Sequence, residues 1–398
     1  MKILHVNEYL AGGGAEHYIA QICKELSQKG HQNLLLYGRE SYENIYRDTA
    51  RKIYIENITS VRCQHINSKL NKVNEFIDYE NPDLIYIHQA YNSSLCEFLT
   101  TKRPSIRYVH DLKLICPEGR KTLKSKSRIC TYPLEYACQR HAFLYKCMPR
   151  NPFIGLPLIY HIKNILHAHQ QRSHMVVASG FMKSALIRNG VSENKISVIP
   201  YFTKLPKPLN AAHSRTEPII LCLGRVVEDK GMHYLLQTFS TIKGDARLIV
   251  VGDGPALTDL KNLAENLNLG SRVLFKGWLS HDQLDEYYRQ CDLVAVPSVW
   301  PEPFGIVGIE AMAYQKPVVA FDVGGINEWC KNGKTGFLVN AYDLSSFAER
   351  INLLLERPDL AKEMGREGRK LVENRFSSET HLDFLLALMK HTIQSVPH

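Results

Sequence analysis

The chain has 398 residues, 44% of them apolar and 22% charged, with a formal net charge of +9. That length exceeds what one hydrophobic core usually serves, so an ordinary globular protein of two domains is expected. No window is apolar for long enough to cross a bilayer, which excludes a membrane-spanning helix.

The first predicted strand is "KILHVN" (2–7). It reads better as a strand than as the core of a signal peptide, because charge returns at Glu8 and glycines follow before an apolar region develops. An intracellular address and mostly reduced cysteines are the expectation. Next comes "AGGGAEHYIAQICKELSQKG", in which Ile19, Ile22, Cys23 and Leu26 share one helical face and Gly30 supplies a stop. "NLLLYG", "DLIYIH", "SIRYVHD" and "HMVVASG" read as further buried strands, with helical patterns between them.

A seam rich in proline and polar residues, "IPYFTKLPKPLNAAHSRTEP" (199–218), reads as a linker. Beyond it "PIILCLGR", "ARLIVVGDG", "RVLFKGW", "DLVAVPS" and "KPVVAFD" repeat the pattern, with helices predicted over 256–268 and 282–290. Near-continuous apolar runs alternating with helices imply parallel sheets covered on both faces. The fold class is therefore α/β, with two doubly wound domains. Ligands of such sheets bind at the carboxyl ends of the strands, and two domains facing each other make a cleft there.

Several strand ends of the second half carry polar residues or glycine. In "LGRVVEDKG" (223–231) Arg225 follows a strand and Lys230 stands at a helix start. "VGDGP" (251–255) ends the next strand, and "GGINE" (324–328) a later one. Arg and Lys beside a glycine-led helix N-terminus suit a diphosphate, since exposed N–H groups and the helix dipole favour anions. There is no Walker sequence, so P-loop phosphoryl transfer is disfavoured. "GGGAEH" is not G-x-G-x-x-G, which disfavours a dinucleotide oxidoreductase.

In "PSVWPEPFGIVGIEAMAYQKPVVA" (297–320), Glu302 precedes a predicted helix and Glu310 lies within it, with Phe304 and Gly305 at the junction. Carboxylates accept hydrogen bonds from sugar hydroxyls but repel phosphate. The pair brackets a nucleotide sugar, with one carboxylate for each ring.

The E-x7-E pair, "GRVVEDKG", "GDGP", the F-x-G of "LFKGW", "VPSVWPEPFG" and "DVGGINE…NGKTGFLV" stand in the order found in retaining GT-B glycosyltransferases of family 4, which this chain resembles. "GGGAE" and "VHD" (109–111) fit that family's N-terminal domain. The resemblance implies the GT-B fold, two Rossmann-like domains facing across a cleft. Residues 1–203 would bind the acceptor and 204–377 the nucleotide sugar, with 378–398 a helix crossing back to the first domain. It further implies that Arg225 and Lys230 hold the donor diphosphate, Glu310 the ribose, and Glu302 the hexose. Gly224, Gly254, Phe304, Gly305 and Ile306 complete the donor site. Gly13 and Gly14 would let the N-terminal loop approach the phosphates, and His110 would touch the sugar near its anomeric centre. The catalytic set is then His110, Arg225, Lys230 and Glu302. No D-x-D metal site occurs, so cationic side chains are expected in place of a divalent cofactor.

Segment 111–174 carries +8 of the net charge and suggests an anionic partner: a phosphorylated or lipid-linked acceptor, or the cytoplasmic face of a membrane, rather than nucleic acid. Within it, "NPFIGLPLIYHIKNILHAHQQR" (151–172) reads either as a membrane-docking helix or as a helix buried under the first domain. Cys116, Cys130, Cys138 and Cys147 fall in one 32-residue window without a C-x-x-C pair; free thiols are the default, with metal or two disulfides as alternatives. Two other functions stay open: transfer to a small soluble acceptor, such as a natural product or thiol precursor, and a non-catalytic nucleotide-sugar-binding module.

Overall fold

A computed structural model describes residues 1–10, 13–40, 46, 49–60, 63–126, 128–206 and 217–395. Gly12 and residues 207–216 of the predicted linker lie outside that set. The chain divides into two compact units, Met1–Pro200 together with His381–His398, and Tyr201–Thr380.

The first unit is built on β1 (Lys2–Tyr9), β2 (Gln32–Arg39), β3 (Arg51–Tyr54), β4 (Leu84–Ile87), β5 (Ser105–Val109), a small antiparallel hairpin β6 (Thr122–Leu123) and β7 (Arg128–Ile129), β8 (Ser173–Val177) and β9 (Ile196–Val198). Apart from the hairpin these strands pair in parallel, in the order β3-β2-β1-β4-β5-β8-β9. Strand β4, LIYI, is buried at every position, as a strand covered on both faces must be. Around the sheet run α1 (Gly14–Gln28), α2 (Ile66–Glu80), α3 (Ser93–Lys102), α4 (Cys138–Tyr145), α5 (Pro152–Arg172) and α6 (Gly180–Arg188). Helix α1 buries Ile19, Ile22, Cys23 and Leu26, the face its periodicity predicts. Each of the three aliphatic side chains contributes about 1.5–3 kcal/mol on burial.

Helix α5 divides the two readings of 151–172 between its ends. It buries Ile159 near its middle and Ile162, Ile165 and Leu166 in its C-terminal half. Its N-terminal half exposes Phe153, Ile154, Leu156 and Tyr160, Phe153 at 88%. No helix among the described residues is long and apolar enough to cross a membrane.

The second unit carries β10 (Ile219–Leu223), β11 (Arg247–Val251), β12 (Val273–Phe275), β13 (Leu293–Val296), β14 (Val318–Phe321) and β15 (Gly336–Val339), all parallel, in the order β12-β11-β10-β13-β14-β15. Its helices are α7 (Met232–Phe239), α8 (Leu257–Asn266), α9 (His281–Gln290), α10 (Ile306–Ala313), α11 (Leu344–Glu356) and α12 (Pro358–Arg375). Strand order reverses about β10, so the loops after β10 and β13 border the topological switch point.

Part of the predicted linker is packed rather than open. Tyr201 and Phe202 are buried, the Tyr201 ring meets Phe304 edge-on at 5.7 Å, and the Thr203 N–H donates to the Phe376 carbonyl at 3.0 Å. Helix α13 (Ser378–Gln394) returns to the first unit. There His381 Nδ1 donates to the Pro200 carbonyl at 2.7 Å, and Nε2 accepts from the Tyr18 hydroxyl at 2.9 Å.

Candidate donor-binding site

The second unit assembles its polar residues on the loops that follow β10 and β13. After β10 the chain passes exposed Arg225, makes a single tight turn over Glu228–Lys230, and enters α7 through Gly231. Gly231 adopts φ +66°, and a Cβ there would stand 1.9 Å from the Pro297 carbonyl oxygen. Only glycine lets the two loops approach so closely. They are also joined by the Val299 N–H donating to the Asp229 carbonyl at 3.0 Å.

That approach brings Lys230 to Glu302. The ammonium lies 2.5 Å from Glu302 Oε1, and the Ser298 hydroxyl donates to the same oxygen at 2.6 Å. Lys230 Nζ also sits 5.5 Å from the centre of the Trp300 ring. The Glu302 side chain is only 6% exposed, so its charge depends on these partners. Its backbone is clamped by the "GGINE" loop. Gly324, at φ +60°, leaves no room for a Cβ against the Glu302 carbonyl, and the Gly325 N–H donates to that carbonyl at 2.7 Å.

Gly305, left-handed at φ +86°, opens α10, whose first residue is Ile306. Phe304 is wholly buried, and its carbonyl accepts from Trp329 Nε1 at 2.6 Å. Glu310, one turn into the helix, accepts from the buried Tyr288 hydroxyl at 2.8 Å. Beside it is a cavity of about 350 Å³ whose lining includes Lys204, Asp285, Tyr288, Glu310 and Tyr314. Tyr288 and Tyr314 stack at 5.0 Å, and the Tyr314 hydroxyl donates to Asp285 at 2.5 Å. Burial, then the Asp285 carboxylate, raises the Tyr314 hydroxyl. On the neighbouring loops the Gly224 N–H donates to the Val251 carbonyl, and Gly254 packs its backbone against Val226. Of the predicted donor residues, Lys230 and Glu302 are bonded to each other, and Glu310 is bonded to Tyr288. Ser298 and Tyr288 carry no sequence signal of their own; each is identified by the carboxylate it bonds.

In the first unit Gly13 is the extended residue before α1, where a Cβ would lie 2.9 Å from Glu16 Oε2, and Gly14 begins the helix. His110 follows β5, buried, with its ring stacked on Tyr108 at 4.5 Å and its Nε2 3.0 Å from His88 Nδ1. Burial, then the Arg107 charge, lowers His110 to about 3. Sequence reading passed over Glu8 and Glu16 as site candidates. Both are buried carboxyls that burial pushes upward, and their position at the carboxyl end of β1 and in the first turn of α1 was the available signal.

The hairpin and α4 gather the four clustered cysteines. The Lys121 N–H donates to Cys116 Sγ at 3.4 Å, the Cys130 N–H donates to the Lys121 carbonyl at 2.6 Å, and the Cys138 thiol faces the Pro133 carbonyl at 3.7 Å. Burial, with neighbouring thiols adding, lifts Cys147 to about 11. All four are free, and among the described residues no set of three or more His, Cys, Asp or Glu is disposed to hold a metal ion.

Two parallel-sheet units with this arrangement define the GT-B fold. The match to Anabaena Alr3699/HepE, whose structure was determined in complex with UDP, has a TM-score of 0.76 at 20% identity and covers 98% of this chain and 100% of that one. Residues 12–204 match the family model described as Glycosyltransferase Family 4, and residues 208–371 the one described as Glycosyl transferases group 1. The chain belongs to this glycosyltransferase family. It is 24% identical to N-acetyl-alpha-D-glucosaminyl L-malate synthase of Bacillus anthracis over 93% of this chain and 92% of that protein. It is 31% identical to the capsular polysaccharide biosynthesis glycosyltransferase CapM of Staphylococcus aureus, over 54% of this chain and 58% of that protein. Like CapM, several other curated relatives are matched over only about half of their length.

Proposed function

We propose that the protein is a retaining glycosyltransferase that moves a hexose from a UDP- or GDP-sugar to a hydroxyl acceptor. The observation that carries this reading is the Lys230–Glu302 pair, held at the switch-point loops one helix entrance away from Glu310. A carboxylate paired with an ammonium suits a ligand that presents sugar hydroxyls and a diphosphate together. On binding, Lys230 and Arg225 take the diphosphate and stabilise the negative charge that grows as it leaves. Glu302 turns to the hexose hydroxyls with the Phe304, Gly305 and Ile306 amides, Gly224 and Gly254 keep the loops close, and Glu310 accepts from the ribose. Gly13 and Gly14 approach the phosphates, and His110 meets the sugar. Cationic side chains supply the charge that a divalent ion supplies elsewhere.

The acceptor is proposed to be lipid-linked or phosphorylated, in assembly of a cell-surface polysaccharide on the cytoplasmic face of a membrane. Support comes from α4 and α5. Phe143, Leu144, Phe153, Ile154 and Tyr160 are exposed there, and residues 136–192 contain seven Lys or Arg and no acidic residue. A second reading, a small soluble acceptor, is favoured by the similarity to N-acetyl-alpha-D-glucosaminyl L-malate synthase over 93% of this chain.

One experiment tests the reading and separates the acceptors. The protein is assayed with UDP- and GDP-hexoses, in EDTA, against L-malate and against a lipid-linked acceptor in anionic vesicles. Transfer is expected to survive EDTA and to need the vesicles. Loss of transfer in EDTA, restored by Mg²⁺, would move the charge stabiliser to a metal. Transfer to malate alone would establish the second acceptor.

A further inference from the structure

Three histidines of the first unit, His5 in β1 and His88 and His110 just past the ends of the adjacent strands β4 and β5, form one buried line. The His5 and His88 rings have centres 5.4 Å apart and planes 1° from parallel. His5 Nδ1 lies 3.2 Å from His88 Nε2, and His88 Nδ1 lies 3.0 Å from His110 Nε2. At the far end His5 Nε2 lies 3.1 Å from Asn33 Oδ1. All four side chains are at least nine-tenths buried.

The direction of every bond in this line follows from its far end. Asn33 Nδ2 faces the carbonyl oxygens of Cys23 at 2.9 Å and Thr49 at 3.3 Å. Carbonyls only accept, so the amide nitrogen must be on that side and Oδ1 must face His5. His5 Nε2 therefore carries a proton. Burial keeps the rings neutral: His5 is lowered to about 4 by burial, with the Asn33 hydrogen bond opposing it. His88 is lowered by burial and then by the neighbouring His110, His5 and Arg107 charges. A neutral imidazole has one N–H, so His5 Nδ1 accepts and His88 Nε2 donates. His88 Nδ1 then accepts, and His110 Nε2 donates.

We infer that Asn33, His5 and His88 form a one-way hydrogen-bond relay that fixes His110 as the Nε2–H tautomer, leaving Nδ1 as its accepting nitrogen. Whatever meets Nδ1 must donate. A sugar or acceptor hydroxyl satisfies that, and a phosphate oxygen does not. Asn33, His5 and His88 are positioning residues, since they act through His110. The link to a sugar rests on the function proposed above; the tautomer does not.

The test is nitrogen NMR on the ligand-free protein labelled with ¹⁵N at histidine, with resonances assigned by single substitutions. Couplings across the N–H···N bonds are expected from His88 Nε2–H to His5 Nδ1 and from His110 Nε2–H to His88 Nδ1, with none of the three rings titrating between about pH 5 and 8. A proton on Nδ1 of His88 or His110, or a titration in that range, would overturn the relay. In His88→Phe the Nδ1–H form of His110 is expected to appear, with kcat down about tenfold and donor KM little changed. A His110 that keeps its single tautomer in this variant would show that the relay does not set it. Should His88→Phe not fold, Asn33→Leu cuts the same line upstream and is read identically. Because the tautomer is read without donor, an inactive protein with an intact relay would count against the donor reading alone.

Discussion

Lys230 Nζ and Glu302 Oε1 stand 2.5 Å apart, although the residues are 72 positions apart in sequence. The buried carboxylate relies on the half-exposed ammonium, so the two substitutions should not add. Lys230→Ala leaves Glu302 desolvated with Ser298 as its remaining bonded partner here. It is expected to lower the Tm of the second unit more than the double variant Lys230→Ala/Glu302→Gln, with a coupling of about 1–3 kcal/mol. Thermal scans of the wild type, Lys230→Ala, Glu302→Gln and the double variant check this. Additive shifts would mean that the contact contributes nothing.

Glu302 and Glu310 should fail differently in catalysis. Glu310 is assigned to the ribose, a part of the donor that reaction leaves unchanged, so Glu310→Gln should raise donor KM and weaken nucleoside-diphosphate binding together. Tyr288→Phe removes the hydroxyl that orients Glu310 and should do the same to a lesser degree, about three- to tenfold. Glu302→Gln should chiefly lower kcat. Calorimetry with the free diphosphate separates them, and equal weakening in the Glu302 and Glu310 variants would contradict the division.

Gly231→Ala tests the loop contact that delivers Lys230. An added Cβ meets the Pro297 carbonyl at 1.9 Å, whereas at Gly244, also left-handed at φ +78°, it meets nothing within 4 Å. Gly244→Ala should therefore cost only the backbone strain, about 1 kcal/mol, with activity retained. Gly231→Ala should cost more and lower kcat/KM at least about tenfold, because the pair cannot form with the loops apart. Equal behaviour in the two variants would remove the steric argument.

The buried histidines make the first unit acid-sensitive. His5 and His381 are lowered to about 4 and His110 to about 3, burial being the first cause in each. Their folded values lie below the unfolded value near 6.5, so the stability they confer is complete above that pH. It is lost as pH falls from about 6.5 toward 4. At pH 5 each ring favours the unfolded chain by about 2 kcal/mol. Denaturant melts at pH 7 and 5 should show this loss, and His381→Gln should reduce it. A pH-independent Cm over that range would rule it out.

Much of the architecture was legible because a strand buried on both faces must be apolar throughout. "DLVAVPS" contains β13, and the predicted helix over 282–290 is α9 less its first residue. Strand β3 was missed, since its RKIY sequence is half-exposed at a sheet edge and lacks that signature. The glutamate pair was visible through its glycine-proline setting. Tyr288 and Ser298 were not, because a hydroxyl that orients a carboxylate resembles any other. The histidine line was invisible for a topological reason: His5, His88 and His110 become neighbours only when β4 takes the place between β1 and β5.

The bond from His381 to the Pro200 carbonyl has a consequence for how the chain is wired. The first unit loses its chain at Pro200 and regains it at His381, and those two points are in contact. The intervening 201–380 is thus an insertion whose ends meet, and the pairing of Thr203 with Phe376 closes the same loop from the other side. Excising it would ask the remaining chain to bridge only a hydrogen bond's width, a short closure of small entropic cost. The first unit, joined there by a few glycines, is expected to fold as an independent protein. The excised segment, begun at Tyr201, is expected to do likewise.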